Sequence, residues 1–325
     1  MRLVIDTDPG MGTVGADPED GMAILYALNA HDVHVDGLTL VQGNVPLSHS
    51  WPNVHHLLAL AGHREVAVHI GAALPRATER RRVQTAWLTQ REKAPRTVPC
   101  IGLPDVPPGG TAAEFICRTV LDAPGEVTVV AIGPLTNIAA ALDIDPAVAS
   151  AMASLVIMGG TVAVPGNITP AAEFNMWMDP DAADVVFRSG ARITMVGLDV
   201  CHRTCFDRDG AAGLRRSGSP LASFVADAVE SWLDVRRLVW PEHEPLHLYD
   251  TLAVAAAIEP GLLETGPALV EIETSVGPAQ GMTVTQRNNA LRHLIAGREP
   301  NAEVAVGVDT ERFAARFAER VTARL

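Results

Sequence analysis

Through the first two hundred residues, short apolar runs alternate with helix-like segments, and the apolar runs end in Gly, Pro, Asn or Asp. After an opening strand, strands are predicted over Val33–Val41, Val66–Ile70, Val127–Ile132, Leu155–Met158 and Ile193–Val196. Helices are predicted over Gly21–Leu28, Val54–Ala61, Ala112–Leu121, Leu135–Leu142 and Asp181–Arg188. Such alternation is the signature of a parallel sheet with helices on its faces, so the expected fold is α/β: one domain, 1–325, with a mainly parallel, Rossmann-like central sheet. Polar residues at the carboxyl ends of its strands then converge on one edge of the sheet, however far apart they lie in sequence. The C-terminal third adds helices near Leu221–Leu238 and Thr251–Ile258, strand candidates at Leu269–Ile272, Met282–Val284 and Val304–Val308, and a last helix from Thr310. No linker and no internal repeat divides the chain.

The opening strand ends in Val4-Ile5-Asp6-Thr7-Asp8-Pro9-Gly10, two carboxylates one residue apart before a turn. Asp17-Pro18-Glu19-Asp20 adds three more acids where a helix begins. Capping and the helix dipole account for much of the second cluster, with Asp17 as N-cap and Pro18 at the first helical position. They do not account for Asp6 and Asp8. Like charges this crowded repel unless a cation sits among them, and oxygen-only ligands suit a hard ion, calcium or magnesium, better than zinc.

A net charge of −13, with Lys93 the only lysine, disfavours a nucleic-acid footprint, and no apolar run is long enough to cross a bilayer. The chain opens on a strand without a basic and apolar leader, which points to the cytoplasm. Cys201-His202-Arg203-Thr204-Cys205 matches no common zinc spacing, so all four cysteines are expected as reduced, buried thiols. Leu74–Pro108 is rich in Arg, Pro and Thr and poor in periodic structure. It is expected to be either a mobile flap over the site, 74–108, with Trp87 as an apolar contact, or a disordered surface loop.

Further strand-end segments carry polar residues in specific contexts: Gln42-Gly43-Asn44, Gly133-Pro134-Leu135-Thr136-Asn137, Met158-Gly159-Gly160, Gly166-Asn167 and Ala172-Glu173-Phe174-Asn175. With Asp8-Pro9-Gly10 and Tyr249-Asp250-Thr251-Leu252-Ala253-Val254, they resemble, in order from Leu3 to Val284, the inosine–uridine preferring nucleoside hydrolase family. The resemblance implies the nucleoside hydrolase fold and a calcium-dependent cleavage of ribonucleosides into ribose and free base. It implies Ca2+ ligands at Asp8, Asp20, Asp250 and the main-chain carbonyl of Thr136, with Asp8 also positioning the attacking water. It implies ribose contacts from Glu19, Asn44, Met158, Asn167, Glu173 and Asn175, and a homodimer or homotetramer. Carboxylates suit the chemistry, because a breaking ribosyl C–N bond leaves a cation-like sugar.

Two departures stand out. Met11–Pro18 lengthens the loop before the second acid pair, so Asp17 is an alternative to Asp20 as ligand. Tyr249 stands where many members carry a His that protonates the departing purine, and a phenol is a poorer acid at neutral pH. Substitutes for that acid are His202, His243, His247 and Trp87, and base preference stays open. Two other functions fit parts of the pattern. One is a phosphohydrolase built on Asp-x-Asp, which would want a downstream lysine. The other is a nucleoside-binding protein that keeps the ribose pocket and has lost turnover through Glu19 and Tyr249.

Overall fold

The computed structural model describes residues 1–105, 110–239, 245–287 and 299–325. In chain order the strands are β1 (Arg2–Thr7), β2 (His34–Leu40), β3 (Val68–Ile70), β4 (Val127–Ala131), β5 (Ser154–Met158), β6 (Ile193–Val196), β7 (Cys205–Phe206), β8 (Leu246–His247), β9 (Leu263–Ile272), β10 (Thr283–Gln286) and β11 (Ala302–Val308). Nine of them form one sheet in the order β10-β9-β11-β6-β5-β4-β1-β2-β3. It is parallel from β3 across to β11, with β9 and β10 antiparallel at one edge. β7 and β8 pair separately.

The chain lays β2 and β3 on one side of β1, then returns to place β4, β5 and β6 on the other. The carboxyl end of β1 is therefore the switch point, the crevice where open α/β sheets take their ligands. Register fixes what meets there: Asp6 lies between Thr39 of β2 and Ala131 of β4.

Both faces of the sheet are covered, which is why its strands read as unbroken apolar runs. Successive side chains still point to opposite faces. Leu3, Ile5, Val130, Val156 and Met158 join one core cluster, while Val4, Val129, Ala131, Leu155 and Ile157 join the other. The first cluster packs against α1 (Glu19–Leu28) and α2 (Leu47–Ala61). α3 (Arg82–Arg91), α4 (Ala112–Asp122), α5 (Thr136–Ile144), α6 (Val148–Ala151), α7 (Phe174–Met178) and α8 (Pro180–Phe187) follow, with α4, α5 and α8 covering the second cluster. α9 (Leu198–Cys201), α10 (Arg208–Arg215), α11 (Pro220–Val239) and α12 (Asp250–Ile258) return to the first face. α12 is buried from Asp250 to Ala257 and packs against α1, as an all-apolar helix must. No described helix is long and apolar enough to cross a membrane.

Two expectations are corrected. The segment after Leu74, read as poor in periodic structure and given no helix, contains α3. Its sequence shows little amphipathic pattern because few specific contacts hold it: Leu88 is buried, Gln84 Nε2 donates to Trp177 O at 2.9 Å, and Trp87 Nε1 donates to Gly43 O at 3.1 Å. All four cysteines are free thiols, but only Cys117 and Cys201 are buried. Cys100 and Cys205 are exposed because each sits in a connection or short edge strand outside the two cores.

Candidate active site

The floor of the site is built where β1 gives way to the Pro9-Gly10 turn. Asn53 of α2 pins that turn, its Nδ2 donating to Pro9 O at 3.1 Å and to Thr13 Oγ1 at 3.1 Å. Asp8 and Asp20 are fully buried and tied together through Asn44. The Asn44 amide donates to Asp8 Oδ2 at 2.6 Å, and its side-chain Nδ2 donates to Asp20 Oδ2 at 3.1 Å. Asp20 Oδ1 accepts from Thr7 Oγ1 at 2.6 Å and from Asp8 N at 3.0 Å. Asp8 Oδ1 has no hydrogen-bond partner. Glycine is required on both sides of this carboxylate: a Cβ at Gly43 would lie 2.7 Å from Asp8 Cγ, and one at Gly133 would lie 2.9 Å from Asp8 Oδ1.

Asp250 begins α12 on the same floor. Its carboxylate does not cap that helix; Glu19 does, accepting from Asp250 N, Thr251 N and Thr251 Oγ1. Glu19, expected on the ribose, thus gives both oxygens to the α12 N-terminus, a use that the positive end of a helix favours. Like Asp8 and Asp20 it lies behind the cavity lining, to which Asp17 and Asp250 belong. Asp17 Oδ1 accepts from Glu19 N at 3.0 Å, but Asp17 is not the N-cap expected of it: α1 begins at Glu19, so Pro18 holds the cap position and Asp17 closes the turn before it.

Burial dominates the electrostatics. It lifts Asp8 and Asp250 well above the carboxylate range and raises Asp20; Asp20 is the next largest influence on both Asp8 and Asp250. Burial also pushes Glu19 up to about 8 and Asp17 up to about 7. Asp6, by contrast, is structural: it accepts from Thr39 Oγ1 at 2.6 Å and Asn137 Nδ2 at 2.8 Å, stitching β1 to β2 and α5. The Thr136 hydroxyl is likewise occupied, donating to Asp179 Oδ2 at 2.7 Å and accepting from Gln42 Nε2 at 3.2 Å.

Above the floor lies a cavity of about 320 Å³. Its polar lining includes Asn44, Asn167, Glu173, Asn175, Asp250 and Asp17. Glu173 caps α7, its oxygens accepting from Asn175 N at 2.8 Å, Met176 N at 3.2 Å and Gly160 N at 3.0 Å, and burial raises it to about 7. Asn175 Nδ2 donates to Ile132 O at 3.0 Å and Met158 O at 3.2 Å, which brings the ends of β4 and β5 to the same point. Asn167 Oδ1 accepts from Phe174 N at 2.9 Å. Tyr249 also lines the cavity, its ring centre 6.0 Å from that of His202 and 5.7 Å from that of His247. His243 lies outside the described residues.

Sequence reasoning missed Arg91, Phe174, Trp232, Val235 and Arg236, all on the cavity wall. The helical spacing of Trp232, Val235 and Arg236 places them on one face of α11, a signal indistinguishable from ordinary core packing in a sequence alone.

The floor suits a hard cation. Its donors are carboxylate oxygens, one of them orphaned, and among the described residues no Lys or Arg forms an ion pair with Asp8, Asp20 or Asp250. Buried like charges without a counter-ion are costly, and a divalent cation relieves that cost. Among the described residues no three acidic, His or Cys side chains are already spaced as a finished ion cage. The fit therefore rests on donor chemistry and unmet charge.

The sequence model of the family described as "Inosine-uridine preferring nucleoside hydrolase" matches residues 3–315. A pyrimidine-specific ribonucleoside hydrolase, RihA of Citrobacter koseri, is 32% identical over 324 residues, covering 99% of this chain and 98% of its own. Among solved structures, the plant nucleoside hydrolase PpNRh1 superposes with a TM-score of 0.84 at 31% identity over 99% of each chain. A purine-preferring ribonucleoside hydrolase from Gardnerella vaginalis gives 0.83 at 29% identity over 100% of this chain and 99% of its own.

Proposed function

The chain belongs to the inosine-uridine preferring nucleoside hydrolase family and is a ribonucleoside hydrolase, and from that premise we propose that its reaction is calcium-dependent with Asp8 as the general base. The observation that carries this is the buried Asp8 carboxylate, one oxygen held by Asn44 of the cavity lining and the other unpartnered. Asp8, Asp20, Asp250 and the Thr136 carbonyl would hold the cation. When bound, such an ion supplies positive charge that acidifies an attacking water and favours binding of vicinal hydroxyls.

The chain's own groups do the rest. Asp8, kept as a carboxylate by the neighbouring cation, accepts the water's proton. Asn44, Asn167, Glu173, Asn175 and Met158 surround the sugar and hold C1′ over the floor. The buried Glu173 carboxylate of the cavity lining, set against the ribose ring in this reading, favours the oxocarbenium-like transition state. Trp87, Phe174 and Trp232 offer aromatic faces to the base.

The test is release of reducing sugar from a panel of purine and pyrimidine ribonucleosides with added calcium. Sugar release that depends on the metal supports the proposal. Ribose binding without release would favour a binding protein instead.

A further inference from the structure

Among the described residues, the guanidinium groups of Arg91 and Arg236 line the cavity, and they are employed differently. Arg91 Nε donates to Asn44 O at 3.2 Å, bracing the loop that holds Asp8. Arg236 comes from α11, its guanidinium carbon 4.9 Å from the centre of the Trp232 ring, a distance at which the ring face steadies the cation. Asp17, Tyr249 and Asp250 line the same cavity. This wall is fixed from the other side by the long loop after Gly10, where Gly15 N donates to Ser231 Oγ at 3.1 Å.

Tyr249 precedes Asp250 and lines the same cavity, and a phenol ordinarily titrates near 10. It can donate a hydrogen bond, but it is too weak an acid to hand over a proton at neutral pH. A guanidinium is a permanent charge with a planar fork of donors, suited to the adjacent ring nitrogen and exocyclic oxygen of an oxopyrimidine.

We propose that Arg236 meets the departing base and neutralises the negative charge that forms on it. The site would then favour ribonucleosides whose base leaves as a delocalised anion, of the dioxopyrimidine type, over those whose base must be protonated first. This rests on the hydrolase assignment above. In the step, the C1′–N bond breaks and its electron pair passes to the base, spread over the ring nitrogen and exocyclic oxygens beside Arg236. The water oxygen bonds to C1′ and one water proton passes to Asp8. The base anion then takes a proton from solvent and Asp8 returns its own, so nucleoside plus water gives ribose plus neutral base.

Uridine, adenosine and 4-nitrophenyl β-D-ribofuranoside, whose nitrophenolate leaves without help, separate the outcomes. The unaltered protein should show the higher kcat/KM on uridine than on adenosine. Arg236→Met should lose on the order of 100-fold on uridine but less than about tenfold on the nitrophenyl riboside, the loss seen when one transition-state donor is removed. Arg236→Lys, which keeps the charge without the fork, should recover part of the uridine loss. Equal losses on the two substrates, no loss on uridine, or a preference of the unaltered protein for adenosine would each overturn the proposal. Nitrophenolate release by Arg236→Met also shows that the variant is folded. If the unaltered protein releases sugar from none of the three, the hydrolase assignment itself fails, a result distinct from failure of the Arg236 role.

Discussion

Gly43→Ala adds one methyl group beside the carboxylate on which the proposed chemistry depends. The new Cβ would sit 2.7 Å from Asp8 Cγ and 3.0 Å from Pro134 Cδ, against an ordinary carbon–carbon separation of about 3.5–4.0 Å. The Asp8 side chain must therefore retreat by about 1 Å. It cannot retreat freely, since Gly133 closes the other side and the 2.6 Å bond from Asn44 N is lost as it moves. A displacement of that size in a reacting group costs on the order of 100-fold in rate, and overpacking costs about 1–3 kcal/mol of stability. The expected result is a cooperatively melting protein whose kcat on nucleosides falls by about two orders of magnitude while KM moves little. Steady-state release of reducing sugar and a thermal melt decide it. A folded Gly43→Ala variant with undiminished kcat would refute the placement of Asp8 as base.

Other expectations follow from the same geometry. Asp8→Ala should abolish turnover, and chelation should inactivate the unaltered protein with calcium restoring it; activity indifferent to either treatment removes the proposed roles. Trp87→Ala loses the bond to Gly43 O and the edge contact with Phe174, at 5.7 Å between ring centres. Its KM should rise about tenfold with kcat within a few-fold, and an unchanged KM would place the indole outside the substrate contact. Burial raises Asp6 and Glu173 to about 7 and Asp179 to about 6. The folded chain thus holds protons that the unfolded chain releases above about pH 4, so the melting temperature of the chelated protein should fall as pH rises through about 7. Asp6→Asn should flatten part of that slope; a melting temperature that instead rises over this window would contradict the burial of these groups.

The sheet was legible because short unbroken apolar runs and their turn residues leave few alternatives, and β2, β4, β5 and β6 lie within a residue or two of their expected spans. That Asp8 and Asn44 lie near Asp20 was legible because the carboxyl ends of β1 and β2 face the start of the next helix, although nothing in the sequence said that Glu19 would cap α12. That use depends on a helix packing beside α1, a tertiary fact without local trace. α3 was hidden for the opposite reason: its weak periodicity gives no signal, and single contacts through Gln84, Trp87 and Leu88 dock it. Arg236 was hidden because a long amphipathic helix looks the same whether its apolar stripe faces a core or a cavity.

The bond between Glu19 and Thr251 joins residues 232 positions apart. During biosynthesis, most of the polypeptide has left the ribosome before Glu19 can reach its partner. Until then the first acids have neither the helix that organises them nor their last companion, Asp250. A chain that ends before α12 therefore leaves the Glu19 carboxylate without the helix end it caps, however well the opening strand has formed.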